Sequence, residues 1–224
     1  MYTDKATIDS YLGVTLDTGL ATFIALTIAG VTDFIEKYCG EERFGKRVFE
    51  APTPTDNDVT KYFDGNGTQK LPVGDLKSLT SLTIDDVLQV ADEDYFLKPY
   101  NASLEGKPYS HIELVQPGGR TNSRLGTIYE FEQDQRNVKI VGKFRYSDVV
   151  PSDIKLIATK LASETLKEKI GDLTLRETKA ETFDDYKIEY TDIAKTAQSL
   201  GVFSILDQYK RKILTPSTGT IQIV

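Results

Sequence analysis

The sequence has 224 residues and a mass of 25.0 kDa, with 27 Lys and Arg against 34 Asp and Glu, for a formal net charge of −7. Hydrophobic residues make up 39% and charged residues 27%, proportions that are typical of a globular protein and exclude a wholly disordered chain. The longest apolar run, Leu20 to Val31, is shorter than the ~20 residues that span a bilayer, so we expect no membrane segment.

The single cysteine and the single histidine restrict the chemistry that is available. Cys39 cannot form a disulfide within the chain, and His111 leaves zinc with too few of its preferred ligands. A Cys–His nucleophilic pair would require distant segments to meet, so we interpret Cys39 as a small core residue. Residues 1–5 lack the basic start and apolar run of a secretory signal, which predicts synthesis in a cytoplasm.

Helical periodicity dominates the first forty residues. A short helix is predicted over Lys5–Leu12, ended by Gly13. Apolar side chains then recur at every third or fourth position from Asp17 to Tyr38, which predicts a longer helix that Asp17 caps and Gly40 ends. The two helices should form an antiparallel pair.

The period changes to that of β-strands after Phe44. The Asn66-Gly67 pair between two strand-like runs predicts a β-hairpin, because a type I′ turn needs positive φ at both central residues. A calcium loop at residues 64–67 is the weaker alternative, since the further carboxylates of such a loop are missing. Loops are predicted over 98–108 and 116–124. The predicted strands are Lys46–Glu50, Val59–Phe63, Thr68–Leu71, Leu79–Ile84, Val87–Val90, Tyr95–Leu97, His111–Val115, Thr127–Phe131 and Asn137–Phe144.

Helical spacing returns after Pro151 and predicts a helix that Gly171 ends. After a charged link, a strand is predicted over residues 186–190 and a last helix from Thr191 or Asp192 through Tyr209. The chain ends in four β-prone and mainly apolar residues, 221–224. They either pack on their own chain or add a strand to a partner's sheet.

These elements together predict an α+β protein. Residues 1–42 and 149–214 should form a small antiparallel helical bundle, and residues 43–148 a β-rich insertion domain between its two halves. Residues 215–224 should form an extended C-terminal docking tail.

No catalytic constellation is found in the sequence. The adjacent carboxylate pairs, such as Asp85-Asp86, point in different directions on a helix or a strand, and no serine lies in a Gly-x-Ser-x-Gly elbow. The acidic composition, with a pI near 4.9 and no basic cluster, argues against tight nucleic-acid binding. We therefore predict no enzyme activity, no metal site and no cofactor.

Several motifs follow one another in a characteristic order along the chain. They are Ile8–Val14, Phe34–Gly40, Tyr62–Gly67 with Leu71–Val73, Val138–Phe144 with Val150–Ile154, and Ile205–Arg211. In this order they resemble the head-to-tail connector (adaptor) proteins of tailed bacteriophages. In that family a helix pair precedes a hairpin, a Gly-x-Phe strand, a Pro-initiated helix and a closing Leu-Asp-x-Tyr-basic helix.

The resemblance implies a structural virion protein of the head–tail neck, made in the cytoplasm of a bacterial host. Such proteins assemble with themselves as a ring, usually a dodecamer, beneath the portal protein. The ring extends the DNA channel without binding DNA specifically, and the next neck or tail-completion protein docks on it. Another phage tail-completion or baseplate protein, or a carbohydrate-binding β module, is the alternative function.

The resemblance also implies which residues contact the portal, because members of the family send their C-terminal segment into its outer rim. For Tyr209, packing in the core of its own chain is the alternative role. The residues expected to contact the portal are Tyr209, Lys210, Arg211, Ile213, Ile221, Ile223 and Val224.

Overall fold

The computed structural model describes residues 1–50, 57–115, 130–175 and 190–211. Within these ranges the chain has five α-helices and one antiparallel sheet of six strands, which confirms the predicted α+β class. The helices are α1 (Lys5–Leu12), α2 (Ala21–Cys39), α3 (Ser152–Leu175), α4 (Tyr190–Ser199) and α5 (Phe203–Leu206). The strands are β1 (Val59–Phe63), β2 (Lys70–Ile84), β3 (Val87–Leu88), β4 (Tyr95–Lys98), β5 (Tyr109–Leu114) and β6 (Val138–Phe144).

The chain divides into two compact units. Met1–Asp56 and Arg145–Lys210 form one, here called the helical unit, and Asn57–Phe144 and Arg211–Val224 form the other, the sheet unit. Each unit has its own apolar core.

The predicted first helix is confirmed at both of its ends. The Asp4 carboxylate accepts a hydrogen bond of 2.8 Å from the backbone N–H of Thr7, as an N-cap does, and Gly13 is the C-cap. The second predicted helix begins later than expected. Asp17 instead caps a short 3-10 turn, Thr18–Leu20, by accepting from the N–H of Gly19, and α2 follows at Ala21.

Helix α2 is a long and largely apolar element of the helical unit. By length and composition alone, the segment Thr18–Cys39 could cross a membrane, since it has 22 residues and contains an 18-residue window with a mean hydropathy of 1.6. The core helix of a globular unit meets the same criterion, so the expected absence of a membrane segment stays a prediction. One face of α2 packs in the core of the helical unit through Phe23, Ile24, Thr27, Ile28, Val31, Phe34, Ile35 and Cys39.

Helix α3 is central to the helical unit, where it contacts α1, α2 and α4. Its buried stripe includes Ile154, Ile157, Leu161 and Leu166, which share one core with the inward face of α2. The predicted end at Gly171 was wrong, since the helix continues to Leu175. A glycine in a helix interior is unfavourable by only about 1 kcal/mol, too little to end a helix by itself.

The predicted last helix is broken into two. Helix α4 ends at Ser199 and α5 begins at Phe203, followed by a 3-10 turn at Asp207–Tyr209. The break lies at Gly201, whose φ of +64° is left-handed and incompatible with a continuous helix. Val202 and Leu206 then turn back into the core of the helical unit.

The strand predicted over Lys46–Glu50 was wrong. The backbone N–H of Arg47 donates to the carbonyl of Glu36, and the carbonyl of Val48 accepts from Tyr146, at 2.9 and 2.8 Å. These hydrogen bonds go to two different segments, and within the described ranges the stretch forms no ladder with a neighbouring strand.

The sheet has the order β1-β6-β2-β5-β4, with β3 paired to the end of β2. Strand β2 includes the runs predicted near Leu71 and Leu79, and the strands predicted near residues 59, 95, 111 and 137 are confirmed with small shifts at their ends. The strand predicted over Val87–Val90 is shorter, ending at Leu88. The loop predicted over 98–108 is confirmed between β4 and β5.

The predicted β1–β2 hairpin was wrong, because β6 lies between these two strands. The turn at residues 64–67 is held by the segment that precedes β6. The N–H of Gly65 donates to the Asn137 side chain, and the N–H of Gly67 donates to the carbonyl of Phe131, at 2.9 and 2.8 Å.

Three further predictions lie outside the described residues in whole or in large part. They are the loop over 116–124, the strand over 127–131, of which Phe131 forms an isolated bridge with Thr68, and the strand over 186–190, of which Tyr190 begins α4.

Candidate functional site

Tyr209 packs in an aromatic cluster of the helical unit. Its ring meets those of Phe49 and Tyr146 edge to face, with centroids 5.6 and 5.7 Å apart. Its hydroxyl donates to Oδ2 of Asp153 at 3.3 Å. Burial and the neighbouring charge of Asp153 raise the pKa of Tyr209 to about 12, so its hydroxyl stays protonated at neutral pH. These contacts show that Tyr209 packs within its own chain.

Arg47 fixes the backbone at Tyr209, although the sequence analysis did not single it out. Its guanidinium lies over the Tyr146 ring, 4.5 Å from the centroid, and donates to the backbone carbonyl of Tyr209. The side chain is buried, so this contact fixes the end of the 3-10 turn after α5. Because Arg47 and Tyr209 are far apart in sequence, no local signal indicates this partnership.

Lys210 is exposed and belongs to a small charged cluster. Its Nζ lies 3.0 Å from Oδ1 of Asp207 and 4.0 Å from the centroid of the Tyr38 ring. The Tyr38 hydroxyl donates to the same carboxylate at 2.7 Å. The hydrogen bond from Tyr38 and the contact with Lys210 lower the pKa of Asp207, which keeps it ionised at neutral pH.

Arg211 belongs to the sheet unit, where its guanidinium is paired with Asp75. Its Nε and Nη2 lie 2.9 and 2.8 Å from Oδ2 of Asp75, and the two side chains are 10% and 5% exposed. Lys61, on strand β1, lies nearby with its Nζ 4.1 Å from the centroid of the Phe144 ring. Burial and then the charge of Arg211 lower the pKa of Lys61, whereas the charge of Asp75 acts in the opposite direction.

The other residues expected to contact the portal lie outside the described residues. They are Ile213, Ile221, Ile223 and Val224. A contact of these residues, or of Tyr209, Lys210 and Arg211, with a portal stays a prediction.

His111 has a serine beside it at hydrogen-bond distance, the separation that a nucleophile and its base require. Ser110 Oγ lies 3.0 Å from His111 Nδ1, and the two residues are consecutive on β5. Burial and the charge of Lys70 lower the pKa of His111, which favours the neutral ring. Glu113 is the nearest carboxylate on the same face of β5, and it pairs with Lys98 at 3.1 Å and Lys70 at 3.5 Å. No third group orients the imidazole as a catalytic triad requires, at least among the described residues.

The remaining candidates for chemistry have structural partners. Cys39 is fully buried in the helical core, where its Sγ lies 3.6 Å from the carbonyl oxygen of Leu206. The Asn66 side chain accepts from the N–H of Thr68 and donates to the carbonyl of Lys70, as turn residues do. Over the described ranges, no three His, Cys, Asp or Glu side chains are grouped to hold a metal ion.

An open cavity of about 580 Å³ lies in the helical unit. Ile24, Ala25 and Ile28 of α2 line its apolar side, and Lys5 and Lys155 lie at its edge. Lys5 is already paired with Asp9 at 2.5 Å. Of the carboxylates in the lining, Glu50 pairs with the N-terminal amino group, and Asp4 accepts a hydrogen bond from the N–H of Thr7.

Comparison with known proteins finds neither a family nor a curated protein that matches this chain.

Proposed function

We propose that this protein is a structural virion component of a tailed bacteriophage, an adaptor that forms a ring beneath the portal protein. In this role it extends the DNA channel, provides the docking surface for the next neck or tail-completion protein, and catalyses no reaction. The observation that carries the proposal is the order of the connector-like motifs along nearly the whole chain.

The packing of the helical unit supports this proposal. Ile8 and Phe34 come from the first two motifs and Leu206 from the last, at the opposite end of the chain. All three side chains lie in one core. We propose that this unit is the helical bundle of the adaptor and that the sheet unit is the β-rich insertion between its two halves. A closed ring requires two different surfaces on each copy, and an α+β protomer has helix faces and strand edges to provide them.

The charge of the chain also supports the proposal. DNA that is packaged or ejected must slide through a neck without being held. A net charge of −7 repels phosphates, whereas tight binding requires clustered Lys and Arg. We therefore propose that DNA passes through the ring with no specific contact.

Electron microscopy of the purified protein mixed with capsids that carry a portal but lack a neck tests this function. We expect a ring of added density, usually twelve-fold, directly beneath the portal, and a protein that assembles only on the capsid. A parallel mixture with purified tails tests the alternative, since density on the tails and none on the capsids would identify a tail-completion or baseplate protein. No added density on either capsids or tails would contradict both of these functions.

A further inference from the structure

Arg211 holds the start of the C-terminal segment on the sheet unit. An arginine beside a terminal segment would ordinarily extend into water, yet this side chain is only 10% exposed. Two of its nitrogens lie within 2.9 Å of a single carboxylate oxygen of Asp75, which is itself 5% exposed. Removing one partner of such a largely desolvated pair is strongly destabilising, because the charge that remains loses its counter-ion.

Asp75 is presented by an irregularity of strand β2. The register of β2 against β5 shifts between Pro72 and Leu76, and Asp75 lies within this bulge. A bulge redirects a side chain that regular alternation would place elsewhere. The carboxylate therefore has a fixed position within the sheet unit, and the chain is held there at Arg211.

Lys61 makes the pair sensitive to the loss of the carboxylate. Its amino group lies over the Phe144 ring and is affected by the charges of both Arg211 and Asp75. One carboxylate thus lies among two cations. Without it, Arg211 and Lys61 would repel each other in partly desolvated surroundings, and the guanidinium would be driven toward water.

We propose that Asp75 is a positioning residue that anchors Arg211 and so fixes the position of the chain at the start of the C-terminal segment, residues 212–224, for docking on its partner. This inference rests on the proposed function, in which that segment docks on the portal. Asp75 acts only through Arg211. Fixing one end of a docking segment reduces the entropy lost on docking, so the anchor should strengthen attachment without itself touching the portal.

The anchor can be tested on the free protein with phenylglyoxal, which modifies arginine side chains, followed by peptide mass spectrometry. We expect Arg211 to react about tenfold more slowly than Arg43, which is exposed, because the reagent must wait for local opening. In Asp75→Asn the rate at Arg211 should approach that at Arg43. Asp86→Asn, which neutralises an exposed carboxylate in the β2–β3 turn, is the matched control and should leave the rate unchanged. Equal rates at both arginines in the wild type would overturn the anchor.

The consequence for docking is tested with the same variants on capsids that lack a neck. We expect Asp75→Asn to attach about tenfold more weakly than the wild type, with Asp86→Asn unchanged. Arg211→Lys keeps the charge but loses the second nitrogen, so it should be intermediate. Thermal melting identifies any variant that fails to fold. If Asp75→Asn does not fold, the labelling rate of Arg211 in the wild type and the attachment of Arg211→Lys test the anchor instead.

The outcomes separate the anchor from the proposed function. If Asp75→Asn labels rapidly yet attaches like the wild type, the positioning role is overturned while the adaptor function stands. If the wild type itself does not attach, the adaptor function fails and the positioning role fails with it. The labelling result then still shows whether Arg211 is anchored.

Discussion

Some buried hydroxyl groups of the helical unit have a hydrogen-bond partner, and two of them have none among the described residues. Thr27 Oγ1 donates to the carbonyl of Phe23 at 2.9 Å, and the hydroxyls of Thr3 and Thr159 lie 2.9 Å apart. By contrast, Ser163 Oγ and Thr165 Oγ1 are buried in α3 with no hydrogen-bond partner in the described structure. A buried polar atom without a partner keeps its full desolvation penalty.

Thr165→Val should therefore stabilise the protein. Valine has nearly the same shape and lacks the unpaired hydroxyl, so the free energy of unfolding should rise by about 1 kcal/mol. Urea denaturation followed by far-ultraviolet circular dichroism measures the change. Thr27→Val is the matched control, since it removes a hydroxyl that has a partner, and it should stabilise less or destabilise. Equal changes in the free energy of unfolding for the two variants would contradict a desolvation penalty at Thr165.

Gly142 shows how one missing side chain permits strand pairing. It lies on β6 opposite β2, and a Cβ at this position would be 2.2 Å from the carbonyl oxygen of Ser78. Gly142→Ala should lower the free energy of unfolding by about 3 kcal/mol, because the backbone of the central strand pair must move apart. Gly106→Ala in the exposed β4–β5 loop meets no atom within 4 Å and should be unfavourable by only about 1 kcal/mol. Similar losses for both variants in the same denaturation experiment would contradict the close-approach explanation.

Helix α1 is an element whose limits follow from local interactions. Its N-cap and C-cap lie within a few residues of its ends, so sequence reasoning placed both boundaries correctly. The C-terminal helices are different. The break between α4 and α5 depends on Val202 and Leu206 reaching the core of the helical unit, which no local spacing shows.

Asp4→Ala should destabilise α1 at neutral pH by about 1 kcal/mol, the usual effect of losing an N-cap. Hydrogen bonds from Thr7, chiefly from its backbone N–H, lower the pKa of Asp4 in the folded protein. The cap therefore contributes fully above the carboxyl pKa of the unfolded chain and is lost as the pH falls through the lower, folded value. Denaturation of both proteins across the acid range should show their stability difference shrinking at low pH. A difference that stays constant down to the lowest pH would exclude a role for the ionised cap.

The whole molecule combines two units with separate cores and, in our proposal, a C-terminal docking segment. The chain passes from the helical unit to the sheet unit between Lys210 and Arg211. The last residue before this point is exposed, and the first one after it is held by Asp75. Lys210 and Arg211, two of the residues expected to contact the portal, thus differ sharply in what they can offer a partner.

Removal of residues 215–224 should leave both units folded and abolish attachment to capsids. The proposed function assigns this segment to the portal and not to a core of its own chain, so circular dichroism and the melting temperature should match those of the full chain. Attachment is measured by sedimentation with neckless capsids and by electron microscopy. If the truncated chain attaches as well as the full one, the segment is not part of the interface.

The sequence by itself determined the α+β class, helix α1 with its caps, the buried stripes of α2 and α3, and most of the strands. These features depend on spacing and capping within a few residues, which act before distant segments meet. Tertiary structure alone decided that β6 separates β1 from β2, that residues 46–50 form no strand, that Arg47 is buried against Tyr209, and that Arg211 pairs with Asp75. In each of these cases the partner lies far along the chain. Such a choice depends on which backbone and charged groups can be paired once both units are packed, and no local pattern contains that information.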